Sequence, residues 1–305
     1  MTVLPEALDG ATVRRLRRSV LSWYATERRD FPWRETRDPY AVLVSEVMLQ
    51  QTQAARVAPR FVRFMTRFPT AAALAGATGA EVLTEWSGLG YNRRALSLQR
   101  TAAHVIAHGW PSDVARLTGL PGVGPYTARA IASLAFGQPV GVVDTNVRRW
   151  LLRHFGGPDD ARRLQALADA LAAGGRGQEV ASWTHASMEI GAAVCRAHQP
   201  RCGACPMAAS CPARGVAPRV AVRRQPALRG SDRAYRGAAM RLLAAEPVGA
   251  LAESALRQAV AGDAANGPAP LDDARWDRVL AGLERDGLVN RTQGMVALGA
   301  ATIRS

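Results

Sequence analysis

The sequence contains no lysine: all 39 of its lysine-or-arginine positions are arginine, against 25 aspartates and glutamates, for a formal net charge of +14. An excess of positive charge this large predicts a polyanionic partner. Arginine can bind a phosphate through two donors, but it cannot act as an amine nucleophile at neutral pH, so lysine-based Schiff-base chemistry is excluded. A biased genomic base composition would produce the same preference for arginine without a functional cause.

Long apolar runs are also missing. Although 48% of the residues are hydrophobic, none of the apolar runs approaches the length of a membrane span, and we find no secretory signal peptide at the N-terminus. The length allows two or three domains with a sizeable buried core. We therefore expect no association with a membrane and a location in a reducing intracellular compartment, the cytoplasm with its nucleoid.

The sequence is poor in cysteine, with four in 305 residues. All four fall within a 17-residue stretch, as Cys195, Cys202, Cys205 and Cys211, with the spacing C-x6-C-x2-C-x5-C. Thiolates from one short loop can hold a 4Fe-4S cluster or a structural zinc ion. Zinc sites usually pair two separated C-x2-C motifs, so the unequal gaps here favour the cluster. A disulfide framework is the remaining alternative, and a chain of this length does not need one.

Strand patterns are scarce before residue 212, whereas helical periodicity recurs along the chain. The pattern predicts an all-α structure through residue 211, with strands only beyond it. The predicted helices cover residues 12–28, 40–54, 57–67, 78–86, 92–108, 112–118, 125–135, 144–155, 160–173 and 180–194.

The region after the cysteines has a different organisation. A basic linker rich in proline and arginine covers 213–230, and a small module follows at 231–305. Three helices followed by a hairpin are typical of a winged-helix-like fold, which can bind DNA or cap the rest of the protein. The module's predicted elements are helices 231–245, 251–261 and 271–286, a loop at 262–270, strands 288–291 and 295–298, and a turn at 292–294.

Three segments place polar groups where chemistry can occur. Glu46 lies on predicted helix 40–54 among apolar neighbours that can desolvate it; an exposed, ion-paired helix carboxylate is the alternative. The glycines of Leu120-Pro-Gly-Val-Gly124 let backbone N–H groups approach a phosphate, although such a turn can also serve packing alone. Asp144 follows an apolar stretch, where it can cap the next helix and still act in a site.

Six motifs follow one another along the chain: FPWR at 31–34, SEVMLQQT at 45–52, GLGY at 88–91, LPGVGPYT at 120–127, the loop at Asp144 and the cysteine run. Their order resembles that of the helix-hairpin-helix DNA glycosylases, and specifically the MutY-type adenine glycosylases, over about residues 14–212. The resemblance implies a mainly α, bi-lobed fold, with a helical barrel lobe at 31–143 and an iron-sulfur lobe formed by 1–30 and 144–212. A target base would flip into the cleft between the lobes. We do not find the Nudix-like C-terminal domain that is common in this family.

The resemblance also assigns catalytic roles. Glu46 is expected to protonate the departing adenine, and Asp144 to face the positive charge that develops on the sugar. Tyr126 and Asn146 are expected to hydrogen-bond near Asp144 and the sugar phosphate. Relatives that also cut the DNA strand have a lysine at the position of Tyr126, so the chain is expected to be a monofunctional glycosylase that leaves an abasic site.

Further residues are assigned to binding by the same resemblance. Gln51 and Tyr91 would intercalate into the DNA stack, and His185 stands where many adenine glycosylases have glutamine or glutamate to recognise the adenine edge. The implied base pocket is Arg29, Phe31, Trp33, Arg34, Leu49 and His185. The implied DNA contacts are Gln51, Thr52, Tyr91, Leu120, Gly122, Val123, Gly124 and Thr127.

The sequence thus predicts an enzyme of base excision repair that acts as a monomer on double-stranded DNA and removes adenine opposite guanine or 8-oxoguanine. A uracil, thymine or hypoxanthine mismatch glycosylase is the first alternative, because Tyr126 with Asp144 is compatible with that chemistry. A noncatalytic protein that binds DNA lesions or senses redox state through its cluster is the second. Intact carboxylates at positions 46 and 144 argue against the second alternative.

Overall fold

A computed structural model describes residues 8–216, 220, 227–263 and 270–299 of the chain. Parts of the predicted linker 213–230 and loop 262–270 lie outside these described residues. The α-helices are α1 (Gly10–Glu27), α2 (Pro39–Leu49), α3 (Ala54–Arg67), α4 (Ala71–Ala75), α5 (Gly79–Glu85), α6 (Arg93–His108), α7 (Val114–Thr118), α8 (Pro125–Leu134), α9 (Thr145–Phe155), α10 (Ala161–Ala172), α11 (Gln178–Glu189), α12 (Asp232–Ala245), α13 (Glu253–Gly262) and α14 (Asp273–Arg285). The strands are β1 (Ala250–Ala252), β2 (Val289–Thr292) and β3 (Met295–Leu298), and a π-helical turn, Ile190–Val194, extends α11.

The expected mainly α fold is confirmed, and within the described residues every strand lies after residue 211. Three details of the prediction were wrong. Helix α2 ends at Leu49 and not at 54, because Gln51 takes a left-handed backbone conformation with φ 56°. The short helix α4 was not predicted. Strand β1 occupies the start of the predicted helix 251–261, because pairing with β3 outweighs the local helical pattern.

Helix α2 forms because its start is capped and its body is apolar. The backbone N–H groups of Tyr40 and Ala41 donate to the Asp38 carboxylate at 3.2 Å, and Pro39 occupies the first helical position, where it needs no N–H partner. Its residues are buried on every side from Tyr40 to Met48. Glu46 is therefore inside the protein because it belongs to a buried helix.

The chain forms two compact units. The first consists of Met1–Glu46 and Trp110–Val222, and the second of Val47–Gly109 and Arg223–Ser305. In the first unit, a core that includes Val20, Trp150 and Trp183 joins α1, α9, α10 and α11. The lobe boundaries that the sequence suggested stay a prediction. No helix in the described ranges is long and apolar enough to cross a membrane.

The second unit combines α3–α6 with the C-terminal module. The module contains α12–α14 and an antiparallel sheet in the order β1-β3-β2. The predicted hairpin turn is present, with positive φ at Gln293 and Gly294. The module packs against α5 where Gly299 meets Gly79. The approach is close, since a Cβ atom added to Gly79 would lie 3.6 Å from the Cα of Gly299. The module thus packs directly on the helices that follow residue 47.

Candidate active site

Glu46 is a buried acid in the first unit. The residue is only 3% exposed. Its carboxyl group accepts a hydrogen bond from the Tyr126 hydroxyl, and its Oε2 atom has no partner among the described residues. Burial is the main cause that raises the pKa of Glu46 to about 7; the Tyr126 hydrogen bond opposes this rise and the charge of Asp144 adds to it. Glu46 is consequently poised to give and take a proton near neutral pH.

Asp144 lies in a different electrostatic environment. It caps α9: its Oδ1 accepts from the Val147 backbone N–H at 2.6 Å, and its Oδ2 accepts from the Asn146 side-chain amide at 2.8 Å. Burial is the main cause that raises the pKa of Asp144 above its usual value, and these hydrogen bonds and the positive charge of Arg149 oppose the rise. Both oxygens of Asp144 therefore have donors that stabilise the ionised form, whereas one oxygen of Glu46 has none.

A second polar cluster in the first unit surrounds Glu189 at the end of α11. The Glu189 carboxylate is 1% exposed in the described structure and accepts from Arg29 at 2.5 Å and from Arg34. Arg34 also donates to the Arg29 backbone carbonyl at 2.5 Å. These two arginines hold the pKa of Glu189 below its usual value despite the opposing effect of burial. The cluster brings together Arg29 and Arg34, the two arginines that were predicted for the base pocket.

The remaining predicted pocket residues are placed as follows. His185 is buried one turn before Glu189, and burial, aided by the charges of Arg34 and Arg28, lowers its pKa to about 3. His185 is therefore a neutral imidazole at physiological pH, with one nitrogen able to donate and the other to accept. Phe31 stacks on the buried Trp33 with ring centroids 4.9 Å apart. Leu49 ends α2 and belongs to the second unit.

The helix-hairpin-helix motif consists of α7, a turn and α8. Gly122 has a φ of 74°, which only glycine adopts readily, and Gly122 and Gly124 are exposed. Leu120, Val123 and Thr127 are buried, at 4%, 5% and 2% exposure. Any DNA contact at these three positions would therefore come from the backbone, and their side chains anchor the turn.

The two predicted intercalating residues lie on loops of the second unit. Gln51 and Tyr91 both have positive φ, 56° and 49°, which is uncommon for residues with a side chain. Both are exposed, and Thr52 next to Gln51 is half-buried. We call the two segments, residues 50–52 and 88–91, the wedge loops. Strained backbone of this kind is concentrated at functional sites.

Arg94 joins the two wedge loops. Its guanidinium donates to the backbone carbonyls of Val47 at 2.5 Å and Gln50 at 2.6 Å, at the end of α2, and to that of Gly90 at 3.1 Å on the other loop. The same group lies 5.4 Å from the ring centroid of Tyr91. Burial lowers the pKa of Arg94 to about 10, so it remains charged at neutral pH. One side chain thus satisfies the last carbonyls of a helix and fixes a second loop.

All four cysteines are free thiols that line a single cavity in the first unit, together with Arg153 and Arg214. Nowhere in the described ranges do three His, Cys, Asp or Glu side chains converge closely enough to hold a single metal ion. The thiols therefore surround a small space and do not meet at a point. Four cysteine sulfurs around a space are the donor set that a multi-iron cluster takes.

The comparisons with known proteins agree with this geometry. The HhH-GPD superfamily of base excision DNA repair proteins matches residues 44–170. The adenine DNA glycosylase of Mycobacterium tuberculosis (strain H37Rv) is 41% identical over 289 residues, which is 90% of each chain. This chain belongs to the adenine DNA glycosylase family. The adenine DNA glycosylase of Mycolicibacterium smegmatis is 45% identical over 230 residues, covering 72% of this chain and 76% of the relative.

Among solved structures, that of a thermostable thymine-DNA glycosylase is similar, with a TM-score of 0.60 and 31% identity, covering 67% of this chain and 98% of the other. The match to the M. tuberculosis relative leaves a tenth of this chain uncovered, which is shorter than the module at 231–305. That adenine DNA glycosylase family member therefore shares at least part of the C-terminal module.

From the sequence we missed three polar residues that the structure of this chain brings into contact with the candidate site or the cysteine loop. Glu189 follows His185 by one helical turn, a spacing that could have linked the two. Arg149 and Arg153 lie on one face of α9 and connect it with the cysteine run: Arg149 donates to the Cys195 carbonyl at 2.7 Å, and Arg153 to the Arg196 carbonyl at 2.8 Å. No local pattern distinguishes these two arginines from the others in an arginine-rich chain.

Arg149 also contacts the candidate catalytic groups. Its Nη2 donates to the Asn146 side-chain oxygen at 2.8 Å, and Asn146 in turn donates to Asp144. A continuous chain of hydrogen bonds thus runs from the first cysteine through Arg149 and Asn146 to Asp144. The arrangement links the orientation of the carboxylate to the cysteine loop.

Proposed function

We propose that this protein is a monofunctional DNA glycosylase that removes adenine opposite guanine or 8-oxoguanine in double-stranded DNA. The observation that supports it most is the pair of unlike buried carboxyls: Glu46, with a pKa raised to about 7, and Asp144, which accepts two hydrogen bonds. Cleaving an N-glycosidic bond needs a proton for the leaving base and a negative charge for the sugar cation, which are the roles that such a pair provides.

In the proposed reaction, protonated Glu46 gives its proton to the adenine as the bond between the base and C1′ of the sugar breaks, with the electron pair leaving on the base. The ionised Asp144 stabilises the positive charge on the sugar. Water then adds to C1′ and returns a proton to Glu46. The products are free adenine and an abasic site, and the strand stays intact because no lysine is available to form a Schiff base.

The Glu189 cluster supports recognition of a base. The Arg34 Nε atom is buried without a partner among the described residues, as is Oε2 of Glu46. Buried polar atoms are nearly always paired, so these two unpartnered atoms suit positions that a bound ligand with a polar edge completes. Neutral His185 can provide a donor and an acceptor to such an edge.

We also propose that Cys195, Cys202, Cys205 and Cys211 hold a 4Fe-4S cluster. The cluster would order the cysteine loop and add a redox-sensitive group, and it would require the reducing compartment that the sequence analysis predicts. Arg149 and Arg153 would keep the loop attached to α9. Protein purified without oxygen is expected to contain four iron and four sulfide per chain and to lose both in C202S; zinc in their place would contradict the cluster.

The test of the activity uses duplexes with adenine, uracil, thymine or hypoxanthine opposite guanine and 8-oxoguanine, treated with alkali to reveal abasic sites. We expect breaks at adenine alone, none without alkali, and none with E46Q, which keeps the shape of the side chain but has no transferable proton. Borohydride-trapped protein–DNA adducts would contradict the monofunctional reaction.

A thymine or uracil mismatch glycosylase is the alternative, favoured by the likeness to the thymine-DNA glycosylase structure and by histidine at position 185. Breaks at thymine or uracil, and none at adenine, would support it. H185Q then separates the two assignments, because glutamine should preserve cleavage at adenine if residue 185 binds the adenine edge.

A further inference from the structure

A cavity of about 850 Å³ lies within the second unit, and two elements far apart in the sequence form its walls. The wedge loops line one side, and α12 of the C-terminal module lines the other with Arg233, Gly237, Met240 and Arg241. None of the candidate catalytic residues lines it. The cavity is therefore separate from the carboxylate site, although it adjoins the loops that were predicted to enter the DNA stack.

The lining is strongly basic. It includes Arg56 and Arg93 from the wedge side and Arg233, Arg236 and Arg241 from α12. Among the described residues its sole carboxylate is Asp286, which pairs with Arg93 at 3.5 Å and Arg236 at 2.5 Å. Such an excess of arginine selects an anionic ligand with phosphate-like oxygens. Arg241 pairs with Asp263, and a partly exposed pair of this kind is weak enough for a phosphate to replace.

The size and the apolar part of the lining suit nucleotides. The volume lies within the usual range for sites that hold small organic ligands, and the side chains of Leu89, Met240 and Leu288 provide an apolar surface among the arginines. A nucleobase with its phosphates combines a flat apolar body with negative charge. The exposed Tyr91 ring at the rim can stack on such a base.

The proposed function identifies the nucleotide that would occupy the cavity, and this step of the inference rests on that function. Flipping adenine leaves two unpaired nucleotides, the adenine itself and its former partner. The adenine is assigned to the carboxylate site, whose residues do not line this cavity. The nucleotide opposite the adenine, with its phosphates, is therefore the remaining candidate to occupy the cavity.

We propose that α12 of the C-terminal module binds the DNA strand opposite the adenine, with Arg233 and Arg241 contacting its phosphates next to the wedge loops. The module would thus bind DNA through its first helix. Its last helix, α14, contributes Leu283 but no arginine to the cavity. The nucleotide would lie between the wedge loops, which separate it from its neighbours in the stack, and α12, which binds its phosphates.

The first experiment compares R233Q/R241Q with R257Q/R278Q. Arg257 and Arg278 belong to the same module, form surface pairs with Asp273 and Asp232, and do not line the cavity, so both variants lose the same charge. The readout is Kd for a duplex with adenine opposite guanine at several salt concentrations. Losing two phosphate contacts should lower the slope of log Kd against log salt by about 2 in the first variant, with a smaller change in the second. Equal slopes overturn the proposal.

The second experiment locates the contact. Single phosphates on either strand are replaced by uncharged methylphosphonates, and the loss of affinity is measured for wild type and for R233Q/R241Q. Neutralising a phosphate beside the base opposite the adenine should weaken wild-type binding several-fold and the double variant hardly at all. We call this difference between wild type and the double variant coupling. Coupling that is seen only for phosphates of the adenine strand, or no coupling at any phosphate, overturns the proposal.

The two proposals fail in different ways. If the protein binds these duplexes with the expected coupling but does not excise adenine, the proposed activity fails and the binding role of α12 stands. If it excises adenine and the arginine variants show no coupling, only the role of α12 fails.

Discussion

At the scale of single residues, Glu46 and Asp144 differ through their hydrogen bonds more than through their burial. Both are buried carboxyls, yet Asp144 accepts from a backbone N–H and from the Asn146 amide, while Oε2 of Glu46 has no donor among the described residues. Donors stabilise the ionised form, and their absence favours the protonated one. The hydrogen bonds to Asp144 thus favour its ionised form, while the unpartnered oxygen of Glu46 favours a protonated one.

The raised pKa of Glu46 has a consequence for stability. The pKa is 4.5 for an ordinary glutamate and about 7 here, so the folded state binds this proton more tightly than the unfolded state. The stabilisation is complete below pH 4.5 and is lost as the pH rises to about 7. We predict that E46Q gains stability over wild type by roughly 1.4 kcal/mol per pH unit across this window, and no further above it.

Urea unfolding of both proteins at pH 5, 6, 7 and 8 measures this difference. E27Q, a change at the exposed end of α1, provides the control and should remain parallel to wild type. A constant gap between E46Q and wild type over the whole range would show that Glu46 does not titrate with a raised pKa.

At the scale of elements, the end of α2 and the second wedge loop depend on Arg94. The guanidinium reaches carbonyls of both segments at once, whereas a lysine ammonium is a single point that cannot span them. We predict that R94K lowers the melting temperature by several degrees and weakens binding to mismatched duplexes at least fivefold, because the wedge loops lose their fixed geometry.

R100K is the matched control, since Arg100 is exposed, lies on the same helix as Arg94 and does not line the cavity described above. It should bind and melt close to wild type. If R94K binds and melts like R100K, the wedge loops are held by other contacts.

Helix α9 joins the candidate catalytic carboxylate to the cysteine loop. Arg149 contacts both Asn146 and the Cys195 carbonyl, so we predict that R149K lowers the single-turnover rate of excision at least tenfold by releasing Asn146 and hence Asp144. R148K, at a half-buried neighbour that pairs with Asp159, should retain the wild-type rate. Identical rates for the two variants would mean that Asp144 is positioned without Arg149.

At the scale of the whole molecule, the two compact units should respond differently to loss of the proposed 4Fe-4S cluster. The cysteines belong to the first unit and α12–α14 to the second. We predict that chelating the iron increases hydrogen exchange in residues 190–211 and in α9, while exchange in α12 and β3 is unchanged, because the module has its own buried core around Leu243 and Leu280. Exchange that rises equally in both units would contradict this independence.

Much of the fold could be predicted from local pattern. Helices such as α1, α6 and α10 have amphipathic periodicity and identifiable ends, so their boundaries differ from the prediction by one or two residues. Strand β1 could not be predicted, since its three residues are extended only because β3 pairs with them. The end of α2 was placed too late because the left-handed turn at Gln51 has no glycine to indicate it.

The sequence by itself determined the chemistry available to this protein: a glutamate on an apolar helix, an aspartate at a helix start, four clustered cysteines and arginine in place of lysine. Each of these features depends on residue type and on near neighbours in the sequence, so it can be identified without the tertiary structure. Only the tertiary structure decided that Glu189 is buried between Arg29 and Arg34, that Arg94 joins two loops, and that α12 faces the wedge loops. These contacts join residues distant in sequence, and only packing determines which of many arginines lies beside which carbonyl or carboxylate.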